Sequence, residues 1–182
     1  MLRPPENFTT ARLAARPPRV KDAEAVFASY AADPVVTRYL SWQPYGDVAL
    51  VREFLRGVVR SWESDESRGH FAWLLCRRDG TDTPIGSIGV NFDVHGALIG
   101  YVLGRAHWGQ GLMTEAASYV AAWALAQPPL HRVWAICDTE NPASARVMEK
   151  AGMQREGLLR RWHVCPTIGP EPRDCLVYAK IR

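Results

Sequence analysis

The chain carries little net charge of either sign. Twenty-two Lys and Arg stand against nineteen Asp and Glu, a formal balance of +3 over 182 residues. A dedicated nucleic-acid binder shows a larger basic excess, so that class of partner is not expected. Cysteine is scarce as well. Cys76, Cys137, Cys165 and Cys175 are scattered and form no C-x-x-C pair, so zinc ligation and thiol–disulfide chemistry both lack a motif. Free thiols in a reducing compartment, and no metal, are the expectation. Long apolar runs are also missing. Met1-Leu2-Arg3-Pro4-Pro5-Glu6 lacks the apolar core of a secretory signal, and the stretch Ala116 to Ala126 contains Ser118 and is too short for a bilayer. A cytoplasmic protein without a membrane partner is expected. No segment repeats or is of low complexity.

What is present describes a folded chain. Apolar residues make up 47% and charged residues 23%, ordinary values for a globular protein. The length suits one domain, residues 1–182. Such a domain buries roughly two thirds of its unfolded surface and needs no disulfide or metal staple.

The periodicity alternates between that of strands and that of helices. Thr10 to Arg16 reads as extended, and Pro17-Pro18 ends it. Helical spacing follows over Lys21 to Ala32, and two more helical pieces are predicted at Val35 to Leu40 and Val48 to Glu63, the latter capped by Asp47. Phe71 to Arg77, Pro84 to Phe92 and Ala97 to Gly104 are β-favouring runs separated by turn residues, which predicts an antiparallel meander. Then come a helix over Gly111 to Ala126, a strand over His131 to Cys137 and a helix over Asn141 to Ala151 closed by Gly152. Arg155 to Val164 and Asp174 to Ile181 read as two final strands. The whole is a mixed α/β (α+β) chain.

Two stretches carry chemistry. In Tyr101-Val102-Leu103-Gly104-Arg105-Ala106-His107-Trp108-Gly109-Gln110-Gly111-Leu112-Met113 a strand feeds a glycine-punctuated turn that opens into a helix. Unpaired N–H groups and the positive end of the helix dipole converge there, which is the local chemistry of an anion site. An ordinary strand-to-helix turn would also use these glycines. No G-K-[ST] follows, and Thr114 stands where a dinucleotide fingerprint has its third glycine. The second stretch is Asn141-Pro142-Ala143-Ser144-Ala145-Arg146-Val147-Met148-Glu149-Lys150-Ala151-Gly152-Met153, a helix with Asn141 as cap and Pro142 at its first position.

Together, and in this order after a meander, the two stretches resemble the GCN5-related N-acetyltransferases (GNAT), and within them the RimJ/RimL type of ribosomal-protein N-terminal acetyltransferase. The likeness runs from Thr10-Ala11-Arg12-Leu13 to the Asp174–Tyr178 strand. It implies a GNAT fold: a central mixed, mostly antiparallel sheet of about seven strands, flanked by helices and splayed where the cosubstrate acetyl-CoA wedges in. The implied activity is transfer of acetyl to a primary amine, a protein N-terminus or a small amine, by direct attack in a ternary complex. Carried onto this chain, the backbone of Val102 and Leu103 would hold the pantetheine arm. The N–H groups of Trp108, Gly109, Gln110, Gly111, Leu112 and Met113 would hold the pyrophosphate. Asn141 would bond the pantetheine, Ser144 would protonate the departing thiolate, and Arg146 is a candidate for the nucleotide phosphates. Trp42, Tyr45 and Trp162, with His163 beside the last, fall in segments that face the acceptor in this family. A homodimer through the C-terminal strands is a further implication.

The chain departs from the family pattern in two places. Ala106 stands where Gln or Arg is usual, with Arg105 one residue off; Leu98 stands where related sequences carry a glutamate that acts as base through water. The second departure bears on the acceptor. A lysine amine near 10.4 is about 3.4 units from neutrality at pH 7, roughly 4.6 kcal/mol, whereas an α-amine near 7.7 to 8.0 lacks only about 1 to 1.4 kcal/mol. Only the neutral amine attacks, so a weakly basic acceptor is expected. Replacement bases are sought in Asp93 and His95, or else in Glu140 and Asp138, although Asp93-Val94-His95-Gly96 also reads as plain turn material. Cys137 could carry the acetyl group only with a base beside it. A CoA-binding module that has lost catalysis is the alternative, and Leu98 is its support.

Overall fold

The computed structural model describes residues 2–64 and 70–182. Eight strands form one open sheet: β1 (Phe8–Thr9), β2 (Leu13–Arg16), β3 (His70–Arg77), β4 (Pro84–Asp93), β5 (Gly96–Leu103), β6 (Arg132–Asp138), β7 (Gln154–Val164) and β8 (Pro172–Ile181). Their spatial order is β1-β2-β3-β4-β5-β6-β8-β7. All neighbours are antiparallel except β5 and β6. The extra strand relative to the expected seven is β1. Its two residues double back onto Ala14 and Ala15, too short a run to show any alternation.

Helices cover both faces. On one, α3 (Leu112–Leu125) and α4 (Pro142–Lys150) share a core with Phe71, Trp73, Leu75, Ile88, Val90 and Ile99. The alanines 116, 117, 121 and 124 of α3 are fully buried, and their small size lets the helix lie close on the sheet. On the other face, α1 (Ala23–Val26) and α2 (Val48–Glu63) pack Val26, Val51 and Leu55 around Leu74 and Val102. With both faces covered, β3 is buried from Phe71 through Cys76 and loses the polar alternation of a half-exposed strand.

The helical expectation for Val35 to Leu40 is not met. Asp33 Oδ1 accepts from the Val35 N–H at 2.8 Å, and the Asp33 carbonyl accepts from both the Thr37 N–H and its hydroxyl. An Asp side chain that captures the backbone two residues on makes a turn in place of a helix, and the segment stays a chain of turns. The run over Lys21 to Ala32 is helical but uneven. A 3-10 turn at Val20–Asp22 precedes α1, and a wide π turn at Phe27–Ala31 follows it.

One buried ion pair joins the sheet to this helical run. Arg16 on β2 forks onto Asp22 at 2.8 and 2.9 Å and reaches Asp82 with Nε at 2.6 Å. Asp22 also accepts from the Arg19 N–H at 2.7 Å. Arg16 and Asp22 are both buried, so removing Asp22 breaks the desolvated pair and leaves Arg16 only the exposed Asp82. Asp22→Ala is expected to lower the free energy of unfolding by about 3 to 5 kcal/mol, measured by urea denaturation.

Candidate active site

The parallel pairing of β5 and β6 consists of Ala97 opposite Val133 and Leu98 opposite Trp134. β5 continues to Leu103 and β6 to Asp138, so beyond Leu98 the two strands part. A cavity of about 1120 Å³ passes through the gap. Its walls come from both sides of the sheet, Leu74, Gly100 and Val102 on the α1–α2 side and Ile99, Tyr101 and Leu112 on the α3 side.

At the end of β5 the chain turns through a short 3-10 stretch, Arg105–His107, into α3. Trp108 bonds its indole N–H to the Leu103 carbonyl at 2.6 Å and so fastens the turn to the strand. Gly109 and Gly111 have φ of +73° and +74°, the left-handed region in which glycine is favoured. A Cβ at Gly109 would meet nothing and one at Gly111 only Arg12 at 3.6 Å, so backbone angle, not space, explains glycine at both. The consequence is a run of backbone N–H groups, Gly109 through Thr114, without a protein acceptor among the described residues. That is a cradle for an oxyanion at a helix N-terminus. It is braced from behind: Glu115 accepts from the Arg12 N–H and Nε at 2.8 and 2.9 Å and from the Thr10 hydroxyl, and Arg12 Nη1 holds the Gln110 carbonyl at 2.8 Å. Burial pushes the Glu115 carboxyl up, but the Thr10 and Arg12 hydrogen bonds outweigh it and hold the group below its ordinary range.

Across the gap stands the start of α4. Asn141 Oδ1 caps it by accepting from the Ser144 N–H at 3.2 Å, which leaves the amide NH₂ for another partner. The Ser144 hydroxyl lies 2.9 Å from the Tyr101 hydroxyl, which also donates to the Ser144 carbonyl at 3.1 Å. Burial pushes the Tyr101 phenol up in spite of the Ser144 hydrogen bond, so it keeps its proton. The sequence reading assigned Tyr101 no role. Strand alternation held the signal, because it puts Tyr101 on the face opposite Gly100 and Val102, where α4 lies.

Of the expected cosubstrate residues, Val102, Leu103, Trp108, Gly109, Gly111, Leu112, Met113, Asn141, Ser144 and Arg146 all line the cavity. The Gln110 side chain does not; it turns back to the Ala106 carbonyl at 3.2 Å. Of the residues expected at the acceptor, Trp42 and Trp162 line the cavity, while Tyr45 does not and stacks on Trp42 at 5.3 Å. Asp93 and His95 are not among the lining residues. They form the β4–β5 turn, where Asp93 Oδ1 accepts from the His95 N–H at 2.7 Å. Asp138 is buried and forked by Arg173, whose Nε lies at 2.5 Å. Burial raises its carboxyl, but Arg173 and the Glu140 N–H outweigh this and hold it low, unfit to accept a proton near neutrality. Glu140 reaches the cavity yet is paired with Arg173 at 2.9 Å. Cys137 also lines it, and burial pushes its thiol up to about 12, so it is protonated near pH 7. No candidate metal cluster occurs among the described residues, and no helix among them is long and apolar enough to cross a membrane.

Residues 12–154 match the acetyltransferase (GNAT) domain family. The chain belongs to this family. It is therefore an acyltransferase that draws its acetyl group from acetyl-CoA. It is 32% identical over 158 residues to the uncharacterized N-acetyltransferase p20 of Bacillus licheniformis, covering 85% of this chain and 86% of that protein. A GNAT-family acetyltransferase from Bacillus anthracis superposes with a TM-score of 0.79 at 27% identity, over 96% of this chain and 98% of that one. The fold is also that of RimJ of Mycobacterium smegmatis, solved in complex with CoA-disulfide: TM-score 0.81, 23% identity, 96% of this chain and 86% of that one.

Two variants probe the GNAT cleft. Gly111→Ala forces a side chain into left-handed backbone at about 1 to 2 kcal/mol, so the KM for acetyl-CoA is expected to rise about tenfold while the fold persists. Cys137→Ala is expected to keep kcat, whereas acetyl transfer through the thiol would lose turnover altogether.

Proposed function

We propose that the protein acetylates a single primary amine, by direct attack on the acetyl-CoA thioester within a ternary complex. The N–H run from Gly109 to Thr114 binds the pyrophosphate, with Arg146 nearby for the nucleotide phosphates. Asn141 and the backbone of Val102 and Leu103 hold the pantetheine arm. Ser144 protonates the departing thiolate, and Tyr101 supports it through their shared hydrogen bond. Placing Ser144 over the gap lets one hydroxyl serve both the strand end and the leaving sulfur.

The observation that carries the acceptor class is the charge of the cavity wall. Glu140 is its one carboxylate among the described residues, against Arg38, Arg146 and Lys150, and Glu140 is itself paired with Arg173. A polyamine or an aminoglycoside carries several cations and would find no counter-charges there. A monoamine beside an apolar or neutral group fits Trp42, Phe54 and Trp162, which line this side. Peptide α-amines meet that description and also suit a site with Leu98 in place of a glutamate.

The decisive experiment measures thiol release from acetyl-CoA with lysine-free peptides bearing a free α-amine, small apolar monoamines and spermidine. Release above blank is expected with α-amines or monoamines and not with spermidine. Ser144→Ala should lower kcat by about 10²-fold with little change in the KM for acetyl-CoA. Leu98 favours a second reading, a CoA-binding module without catalysis; it would bind CoA in calorimetry yet release no thiol with any amine.

A further inference from the structure

The acceptor side holds an imidazole to which neither the sequence motifs nor the family pattern gives a task. His70 opens β3, and its Nδ1 lies 2.9 Å from Oδ1 of its cross-strand partner Asn91. An amide oxygen can only accept, so the proton between them sits on Nδ1, and in the neutral ring the free lone pair is then on Nε2. The ring lies against Gly89. A Cβ built there would come within 3.0 Å of the ring carbon Cε1, the atom bonded to Nε2. Gly89 pairs in turn with Gly100 of β5, and a Cβ at Gly100 would meet nothing within 4 Å. Two adjacent glycines thus leave a bare trough on the sheet surface. It leads from the imidazole to the place where β5 leaves β6, and His70, Gly89, Asn91 and Gly100 all line the cavity.

We infer that His70 is the general base for the acceptor amine and that Asn91 is the residue that orients it, a pair that takes over the task Leu98 cannot perform. This rests on the acetyl-transfer reading given above. Neighbouring strands are about 4.8 Å apart, so an amine over Gly100 stands within one water of a ring over Gly89. Leu98 forms a cross-strand pair with Asn91 and gives the trough an apolar wall.

The proton and bond inventory closes. The ammonium gives one proton to Nε2, directly or through that water, and the freed lone pair forms the C–N bond to the thioester carbon. The C–S bond then breaks, and the thiolate takes the Ser144 hydroxyl proton. The second proton on the new amide nitrogen restores the serine, so one proton per turnover reaches solvent from His70.

No charged side chain of β4 is paired with His70; its partner there is Asn91. Arg38 and Tyr39 from the 33–47 loop, His107, Glu140, Arg146, Lys150 and His163 line the same cavity. The pH dependence must therefore be assigned by variant. The probe is the full chain with acetyl-CoA and a short lysine-free peptide bearing a free α-amine, followed as kcat/KM from pH 6 to about 9.5, across the α-amine range. His70→Gln is expected to lose about 10²-fold at pH 7. That deficit should shrink as pH rises and the amine loses its own proton, and the KM for acetyl-CoA should hold. Asn91→Leu, which keeps the imidazole but frees it to turn, should fall between wild type and His70→Gln. A deficit in His70→Gln that is absent, or the same at every pH, overturns the assignment. So does a pH-dependent loss of this size in Glu140→Gln or His163→Gln with none in His70→Gln. Wild-type protein that releases no thiol with any amine overturns the acetyl-transfer reading itself, and the role of His70 with it.

Discussion

The parallel pairing of β5 and β6 stops at Leu98 and Trp134, and the backbone beyond that point is the constraint to which the rest of the site answers. Polar main-chain groups inside a protein need partners. An open seam in the middle of a sheet is therefore stable only where something else fills it or lines it. Here Tyr101 crosses to α4, Trp108 closes the last carbonyl of β5, and Asn141 caps the helix that borders the opening. The remaining room is lined from both faces of the sheet, the shape that the proposed placement of an extended, amide-bearing arm requires.

Charge is used sparingly at the phosphate end. The N–H groups from Gly109 to Thr114 are dipoles fixed by two left-handed glycines and a helix start, an arrangement that is suited to an oxyanion and brings no counter-ions of its own. The carboxylate of Glu115 in the same helical turn would oppose this. It is neutralised by Arg12 and turned toward the β1–β2 loop, where it works as a brace. The +3 balance of the chain is thus compatible with binding a highly charged cosubstrate.

Much of this was legible in the residues, for identifiable reasons. The glycine turn and the Asn141–Pro142 helix start are local signals, since they depend on backbone angles and caps that neighbouring residues set. Val35 to Leu40 misled because its apolar spacing is helical while Asp33, just outside it, captures the backbone first. The expectation about Asp93 and His95 attached two polar residues to the nearest strand end, and pairing put that end at the tip of a hairpin. His70 and Asn91 lie twenty-one residues apart, and only the β3–β4 register brings them together. No spacing rule along the chain connects them. Tyr101 is intermediate: alternation assigns its face, but its partner on α4 is visible only once the sheet is assembled.

The crossing of the sheet by a single cavity also bears on how the reaction ends. Leu112, Met113 and Ser144, the residues proposed for the cosubstrate, stand on the α3–α4 side, and Trp42 and Phe54 stand on the α1–α2 side. With the proposed roles the sheet is a septum, and the two products stand on opposite sides of it once the C–S bond has broken. On the proposed reading each product faces its own solvent front, and neither exit has to wait for the other to clear.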